Sequence, residues 1–331
     1  MTVQIRLPDP SETFDAATAR QAFSDILDLR VSDEAIASFL IGLSERGETS
    51  IEIAAAAQEL RARMIPVSAP QGAIDVCGTG GDGHHSLNVS TAVAIIVAAC
   101  GVPVAKHGNR AASSKAGAAD TLEALGLDLD RAGATAEATL HELGICFLFA
   151  ITHHPAMKRI QPIRKSIGKR TIFNLMGPLA NPARTTRQLI GIARPDYVPI
   201  YGAALESLGC EAGLVVSGEE GLDELSGAGP SRVYRIGDLP MGEIIAPEDA
   251  GLARAPTSAI HGGDVAYNAA ALRRLLLGEK GPYRDAVLLN AAAALIVAGR
   301  AESLTEGVEE AGEVLDNGLA NALLDCWIAF R

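Results

Sequence analysis

Aromatic side chains are scarce in this chain: Phe, Trp and Tyr make up 4% of its 331 residues, although 48% are hydrophobic. Its core must therefore be built from Ala, Leu, Ile and Val. Cysteine is also sparse. Cys77, Cys100, Cys146, Cys210 and Cys326 are an odd number with no C-x-x-C pair, which argues against a disulfide scaffold and for reduced thiols in the cytoplasm. Positive charge is in deficit, with 28 Lys and Arg against 40 Asp and Glu and a net charge of -12. Such a chain repels nucleic acid and anionic membrane at long range, so neither is expected as a partner. No apolar run is long enough to span a bilayer; Thr91–Val104 is interrupted by Cys-Gly and Pro. The first twenty residues have neither a basic n-region nor an apolar h-region, so no secretory signal is expected. These exclusions leave a cytoplasmic globular protein, long enough for one large domain or a large and a small one.

What is present changes texture near residue 73. Before it, the pattern is helical. Ser32-Asp33 opens a helix whose Ile36, Phe39, Leu40 and Leu43 recur at the spacing of a buried stripe, and Gly47 stops it. Thr49 and Glu52 then have the spacing of a capping box for a helix over Ile51–Met64. Residues 1–72 are expected to form a small all-helical domain. From Ala73, short β-like runs (Ala73–Cys77, Val102–Ala105, Cys146–Phe149, Gly213–Val216) alternate with longer helical patterns. That alternation predicts a large α/β domain over 73–331 with a central, mostly parallel sheet, whose ligand loops lie at the carboxyl ends of the strands. Residues 166–184, punctuated by Gly, Pro and Asn, read as a crossing between units. Residues 231–248 are β-like and turn-rich, and helices are expected at Asn268–Leu277, Arg284–Gly299, Ser303–Asn317 and Leu319–Phe330.

Two polar loops fall where ligand loops belong. In Cys77-Gly78-Thr79-Gly80-Gly81-Asp82-Gly83, four glycines permit positive φ and let backbone amides face an anion. Asn88, Ser90 and Thr91 follow at a helix start, where free N–H groups favour phosphate. Each element alone could be an ordinary turn or cap. The loop lacks the Lys-Ser/Thr of a Walker A motif and the placed acid of a dinucleotide fingerprint. Lys106-His107-Gly108-Asn109-Arg110 supplies charge and an amide, and Ser113 and Ser114 open the next helix. His107 is a candidate acid or base, or a polar packing residue. The pairs His84-His85 and His153-His154 lack a zinc ligand set. Asp223-Glu224 could be solvated loop charge, but beside a phosphate site they suit Mg²⁺, with Ser90 offering a hydroxyl. The basic cluster Lys158, Arg159, Arg164, Lys165, Lys169 and Arg170 is mostly solvent-facing by expectation, with one arginine free to fork onto a carboxylate.

Taken together, Asp75–Asp82, Asn88–Thr91, Lys106–Arg110 and Gly221–Leu225 closely resemble the signature blocks of the anthranilate phosphoribosyltransferases. So do the blocks His154–Lys158, Arg170–Asn174, Gly177–Pro182 and Asp285–Leu295, and the likeness spans essentially the whole chain in order. The resemblance implies a nucleoside phosphorylase/phosphoribosyltransferase-like fold and a cytoplasmic homodimer paired through the helical domain, whose later part lies near 168–183. It also implies Mg²⁺-dependent transfer of a phosphoribosyl group from 5-phosphoribosyl 1-diphosphate (PRPP) to the amine of anthranilate, in tryptophan biosynthesis, with two Mg²⁺ per subunit.

Carried over by position, Gly78, Gly81, Asp82, Ser86, Asn88, Ser90, Thr91, Lys106, Ser113 and Ser114 fall on PRPP positions. Gly78, Asn109, His154, Arg164 and Gly177 fall on the anthranilate side, and Ser90, Asp223 and Glu224 on Mg²⁺. Asn109, Arg164 and His107 are the implied catalytic set. Ser86 and Leu87 replace a usual Thr and Phe, and Ala118 stands where a Ser normally touches PRPP. Two rival readings are a pyrimidine nucleoside phosphorylase-like transferase and an inactive, nucleic-acid-binding fold relative. The Lys-His-Gly-Asn-Arg block and Asp223-Glu224 weigh against the first, and the acidic balance against the second.

Overall fold

The computed structural model describes residues 5–111 and 115–331. Three helices come first: α1 (Ala16–Leu27), α2 (Asp33–Arg46) and α3 (Ser50–Arg61). Ser32 caps α2 by accepting from the Ala35 amide, the Ile36, Phe39, Leu40 and Leu43 stripe is buried, and Gly47 ends the helix at φ +93°. The Thr49–Glu52 capping box forms in both directions, an arrangement worth roughly 1 kcal/mol.

After residue 73, strands and helices alternate: β1 (Ile74–Gly78), α4 (Val89–Ala99), β2 (Val104–Gly108), α5 (Ala118–Ala124), α6 (Leu129–Ala134), α7 (Ala136–Glu142) and β3 (Ile145–Phe149). A second helical stretch follows, α8 (Ala150–His153), α9 (Pro155–Ile167) and α10 (Met176–Leu179). The chain returns through β4 (Arg187–Gly191), α11 (Val198–Ser207), β5 (Ala212–Gly218), β6 (Ser231–Ile236) and β7 (Ile244–Ile245), and closes with α12 (Val265–Leu276), α13 (Pro282–Ala298), α14 (Leu304–Asp316) and α15 (Leu319–Ala329).

The described strands form one sheet in the order β3-β2-β1-β4-β5-β6-β7, parallel from β3 through β5 and antiparallel at β6 and β7. Strand β4 is not among the β-like runs expected from sequence. It pairs with β1 along its whole length, so the chain leaves β1 toward β2 on one side and joins it from β4 on the other. The carboxyl ends of β1 and β4 therefore flank the switch point at which α/β sheets bind ligands.

Two large cores lie on opposite faces of this sheet. One joins α4, α13, α14 and α15 to Val76, Leu189 and Val216. With so little aromatic bulk, its helices approach closely: a Cβ on Gly307 of α14 would lie 2.7 Å from the Ala292 Cα of α13. The other joins α1–α3 to α11 and the opposite face, through Ile190, Val215 and Ile236. Phe14, Phe23, Phe39 and Phe173 pack ring to ring there, which places four of the seven phenylalanines in the helical unit. Ala156, Ile160 and Ile163 of α9 belong to the same core, as do Ile172, Phe173, Met176 and Leu179 within the 168–183 segment. All five cysteines are free.

Candidate functional site

The glycine loop leaves β1 at its carboxyl end. Gly80, Gly81 and Gly83 have φ of +67°, +75° and +78°, the left-handed conformation that favours glycine. Gly78 serves differently. It belongs to β1, and a Cβ there would overlap the Asp223 carboxylate. Gly191 ends β4 alongside it, and a Cβ there would overlap the Asp223 carbonyl. Two bare backbones thus let the Asp223-Glu224 turn press onto the switch point. Asn290 of α13 fixes that turn from behind, accepting from the Leu225 amide (2.9 Å) and donating to the Leu225 carbonyl (2.9 Å).

Charge is concentrated in this turn. Asp223 accepts from the Gly80 amide (2.6 Å), but burial and the facing Asp82 carboxylate push its acid up to about 7. Burial, then Asp223 and Asp82, push Glu224 well above the usual range. One Asp82 oxygen is buried with no donor. Sequence spacing does not reveal that Asp82 sits with the pair; the folded loop brings it there.

Lys106 supplies positive charge that acts on this turn. The sequence suggests a loop here, but β2 runs through Gly108 and buries Lys106 to 2% exposure. Its Nζ donates to the Val76 carbonyl (2.7 Å) and the Ser90 hydroxyl (3.2 Å). Burial lowers its pKa, while Cys77, Asp75, Glu224 and Asp223 act in the opposite sense. Asp75, fully buried, accepts from the His107 amide (3.0 Å). It ties β1 to β2 directly below the site, a role that nothing in its sequence neighbourhood announces.

His107 does not have the character of a base. Its Nδ1 donates to the Gly177 carbonyl (2.8 Å), and its Nε2 lies 3.3 Å from His154 Nε2, two neutral imidazoles sharing one proton between them. Burial, then His154, lower the pKa of His107 to about 3, and burial lowers His154 to about 4. Proton uptake by His107 in the unfolded chain begins near 6.5, so its contribution to stability is complete above that pH and is lost as pH falls toward 3. The urea midpoint of the wild type should therefore rise from pH 4 to pH 7, and His107→Gln should flatten the rise. An equally steep rise in the variant would refute this origin.

The remaining expected residues divide. Gly177 is exposed, with open space where a Cβ would point. Ser86 forms an isolated bridge with His261 beside the glycine loop. Asn88 is committed to the scaffold: its carbonyl oxygen accepts from Thr121 (2.7 Å) and Asn268 (3.1 Å), and its amide donates to the Ala116 carbonyl (3.3 Å). Thr91 is buried, its hydroxyl without a partner among the described residues. Asn109 is exposed and bonds its neighbour's amide (2.8 Å). Ser113 and Ser114 lie outside the described residues. Arg164, on α9, is half-buried, and burial lowers its pKa; no described residue pairs with its guanidinium. Among the described residues, no hydrogen bond or ion pair joins Arg164 or Asn109 to the carboxylate cluster.

Among the described residues, no set of three His, Cys, Asp or Glu side chains is arranged as a ready-made metal cage. Mg²⁺ does not need one, because it commonly takes one or two carboxylates and completes its shell with water and substrate phosphate. The donorless Asp82 oxygen and the crowded Asp223 and Glu224 carboxylates fit such a cation.

Comparisons with known proteins agree with this arrangement. A family described as "Glycosyl transferase family, a/b domain" matches residues 70–321, and "Glycosyl transferase family, helical bundle domain" matches 9–64. The anthranilate phosphoribosyltransferase of Novosphingobium aromaticivorans is 67% identical over 327 residues, covering 98% of each chain. The crystal structure of the Thermus thermophilus enzyme of that name superposes with a TM-score of 0.91 at 45% identity, covering 97% of this chain and 96% of that one. The Saccharomyces cerevisiae enzyme in complex with PRPP and Mg gives 0.87 at 27% identity, covering 95% and 93%. On these grounds the chain belongs to the anthranilate phosphoribosyltransferase family.

Proposed function

We propose that this chain transfers the 5-phosphoribosyl group of PRPP to the amine of anthranilate and releases diphosphate, at the carboxyl ends of β1, β2 and β4. The observation that carries this reading is a pair of complementary deficits. The Asp82, Asp223 and Glu224 cluster is short of positive charge, and the Arg164 guanidinium is short of an anion. Held by Asp223, Glu224 and Ser90, Mg²⁺ would neutralise the departing diphosphate.

On the PRPP side, Gly78, Gly81, Asp82, Ser86 and Ser90 border the phosphate-binding loop, and Lys106 adds a fixed charge from below. Asn88 acts by holding the loop's supports, and Thr91 is buried beside it at the start of α4. On the anthranilate side, Arg164 forks onto the carboxylate, Asn109 orients the amine, and His107, His154 and Gly177 form a neutral wall. A neutral wall suits the chemistry. An aryl amine is unprotonated at neutral pH and attacks the ribosyl carbon as the C1–O bond breaks, so positioning and leaving-group stabilisation dominate. The test is loss of anthranilate fluorescence on adding PRPP and Mg²⁺. Turnover of thymidine with phosphate in its place would overturn the reading.

Arg164→Ala should raise the KM for anthranilate by roughly 10–100-fold, the worth of one charged bidentate contact, with kcat changed little. Initial rates at saturating PRPP check this; an unchanged KM would remove Arg164 from the site.

The same reading makes the protein a cytoplasmic homodimer with two Mg²⁺ per subunit. No described helix is long and apolar enough to cross a membrane. Leu29, Ile51 and Ile65 leave apolar surface exposed on and beside the helical unit, where the second subunit would pack. Sedimentation velocity tests the dimer.

A further inference from the structure

Arg170 belongs to the basic cluster of residues 158–170, most of which is expected from sequence to face solvent. It sits just after α9, and its main-chain carbonyl accepts from the Ser44 hydroxyl of α2 (3.1 Å), which ties it to the helical unit. Its guanidinium reaches the glycine loop. Nη1 donates to the Gly81 carbonyl (2.6 Å) and Nη2 to the Gly80 carbonyl (2.9 Å).

Those two bonds fix more than two oxygens. A peptide unit is planar and trans, so its N–H points opposite to its C=O. The Gly80 carbonyl shares a plane with the Gly81 amide, and the Gly81 carbonyl with the Asp82 amide. Holding both carbonyls toward the guanidinium turns both amides away from it. Neither amide has an acceptor among the described residues, whereas the preceding amide, of Gly80, is already taken by Asp223. Gly81 is further constrained, since a Cβ there would lie 2.6 Å from Arg170 Nη1.

We propose that Arg170 is a positioning residue for PRPP: by gripping the Gly80 and Gly81 carbonyls from the helical unit, it aims the free amides of Gly81 and Asp82 at the diphosphate. The inference rests on the PRPP reading above. A planar fork is needed because two carbonyls on adjacent peptide units must be held at once; an ammonium on a flexible stem does not reproduce that geometry.

The test compares full-length wild type with Arg170→Ala and Arg170→Lys, by initial rates in both substrates, by calorimetric titration with PRPP and Mg²⁺, and by thermal melting. Arg170→Ala should raise the PRPP KM and Kd by roughly tenfold, leave the anthranilate KM within about twofold, and melt close to wild type because Arg170 is exposed. Arg170→Lys should recover little. Three results would overturn the proposal: a wild-type PRPP Kd in Arg170→Ala, full recovery by Arg170→Lys, or parallel rises in both KM values with a lowered melting temperature. Wild type without turnover of PRPP and anthranilate would instead overturn the functional reading and this inference with it.

Discussion

Asp223→Asn and Glu224→Gln should each lower kcat/KM for PRPP by about 10²–10³-fold, the usual loss when a group that stabilises transition-state charge is removed. Each keeps the shape of the turn and deletes one negative charge. In Asp223→Asn the Gly80 amide still finds a carboxamide oxygen, and Asn290 still grips Leu225, so the loss would report on metal and diphosphate rather than on folding. Stability should move the other way. Without metal, Asp223 faces Asp82 and an oxygen that has no donor, and removing one like charge relieves that repulsion. Asp223→Asn should therefore melt at or above the wild-type temperature in EDTA while losing the increase that Mg²⁺ with PRPP gives the wild type. Rates over a Mg²⁺ titration and melting curves with and without EDTA check both halves. A folded variant that turns over normally would remove the pair from the metal site.

Local chemistry is legible in the sequence where it depends on near neighbours. The α2 stripe, the Thr49–Glu52 box and the left-handed glycines of the first loop each rest on residues within one or two turns, and each forms as expected. What stays hidden depends on distant partners. Strand β4, Arg-Gln-Leu-Ile-Gly, shows no alternation because it is central and covered on both faces; even Gln188 is buried, its amide nitrogen donating to the Pro178 carbonyl (2.9 Å). Helix α9 begins with proline and carries another at Pro162, so in sequence its amphipathic pattern shows only as a basic cluster. Lys106 resembles a loop residue because a charged side chain is costly inside a sheet, and only the Val76 carbonyl, the Ser90 hydroxyl and nearby carboxylates make that position tolerable. The substrate-facing residues follow from resemblance. Their supports, Asp75, Asn290 and Gly191, emerge only from the fold.

Gly191 gives the sharpest test of those supports. Its φ is not in the left-handed region, so alanine is acceptable to the backbone; the obstacle is the Asp223 carbonyl that a Cβ would overlap. A flexible side chain could swing aside, but this neighbour is main chain and is held at both ends. Leu222 accepts from the Gly218 amide (2.9 Å), and Asn290 holds Leu225. Gly191 is itself the last residue of β4, in register with Gly78 of β1 and Val216 of β5. Either the strand end or the carboxylate turn must move. Overpacking of this kind costs about 1–3 kcal/mol, and a displacement near 1 Å at a site that works by positioning can cost about 10²-fold in rate. Gly191→Ala should therefore fold with a reduced melting temperature and lose about 10²-fold in kcat/KM for PRPP. Gly133→Ala is the matching control: it lies within α6, its Cβ would meet open space, and it should gain about 0.5–1 kcal/mol with activity unchanged. If Gly191→Ala kept the wild-type rate, the turn would be free to shift without consequence, and the site would not depend on the bare backbone where β1 and β4 meet.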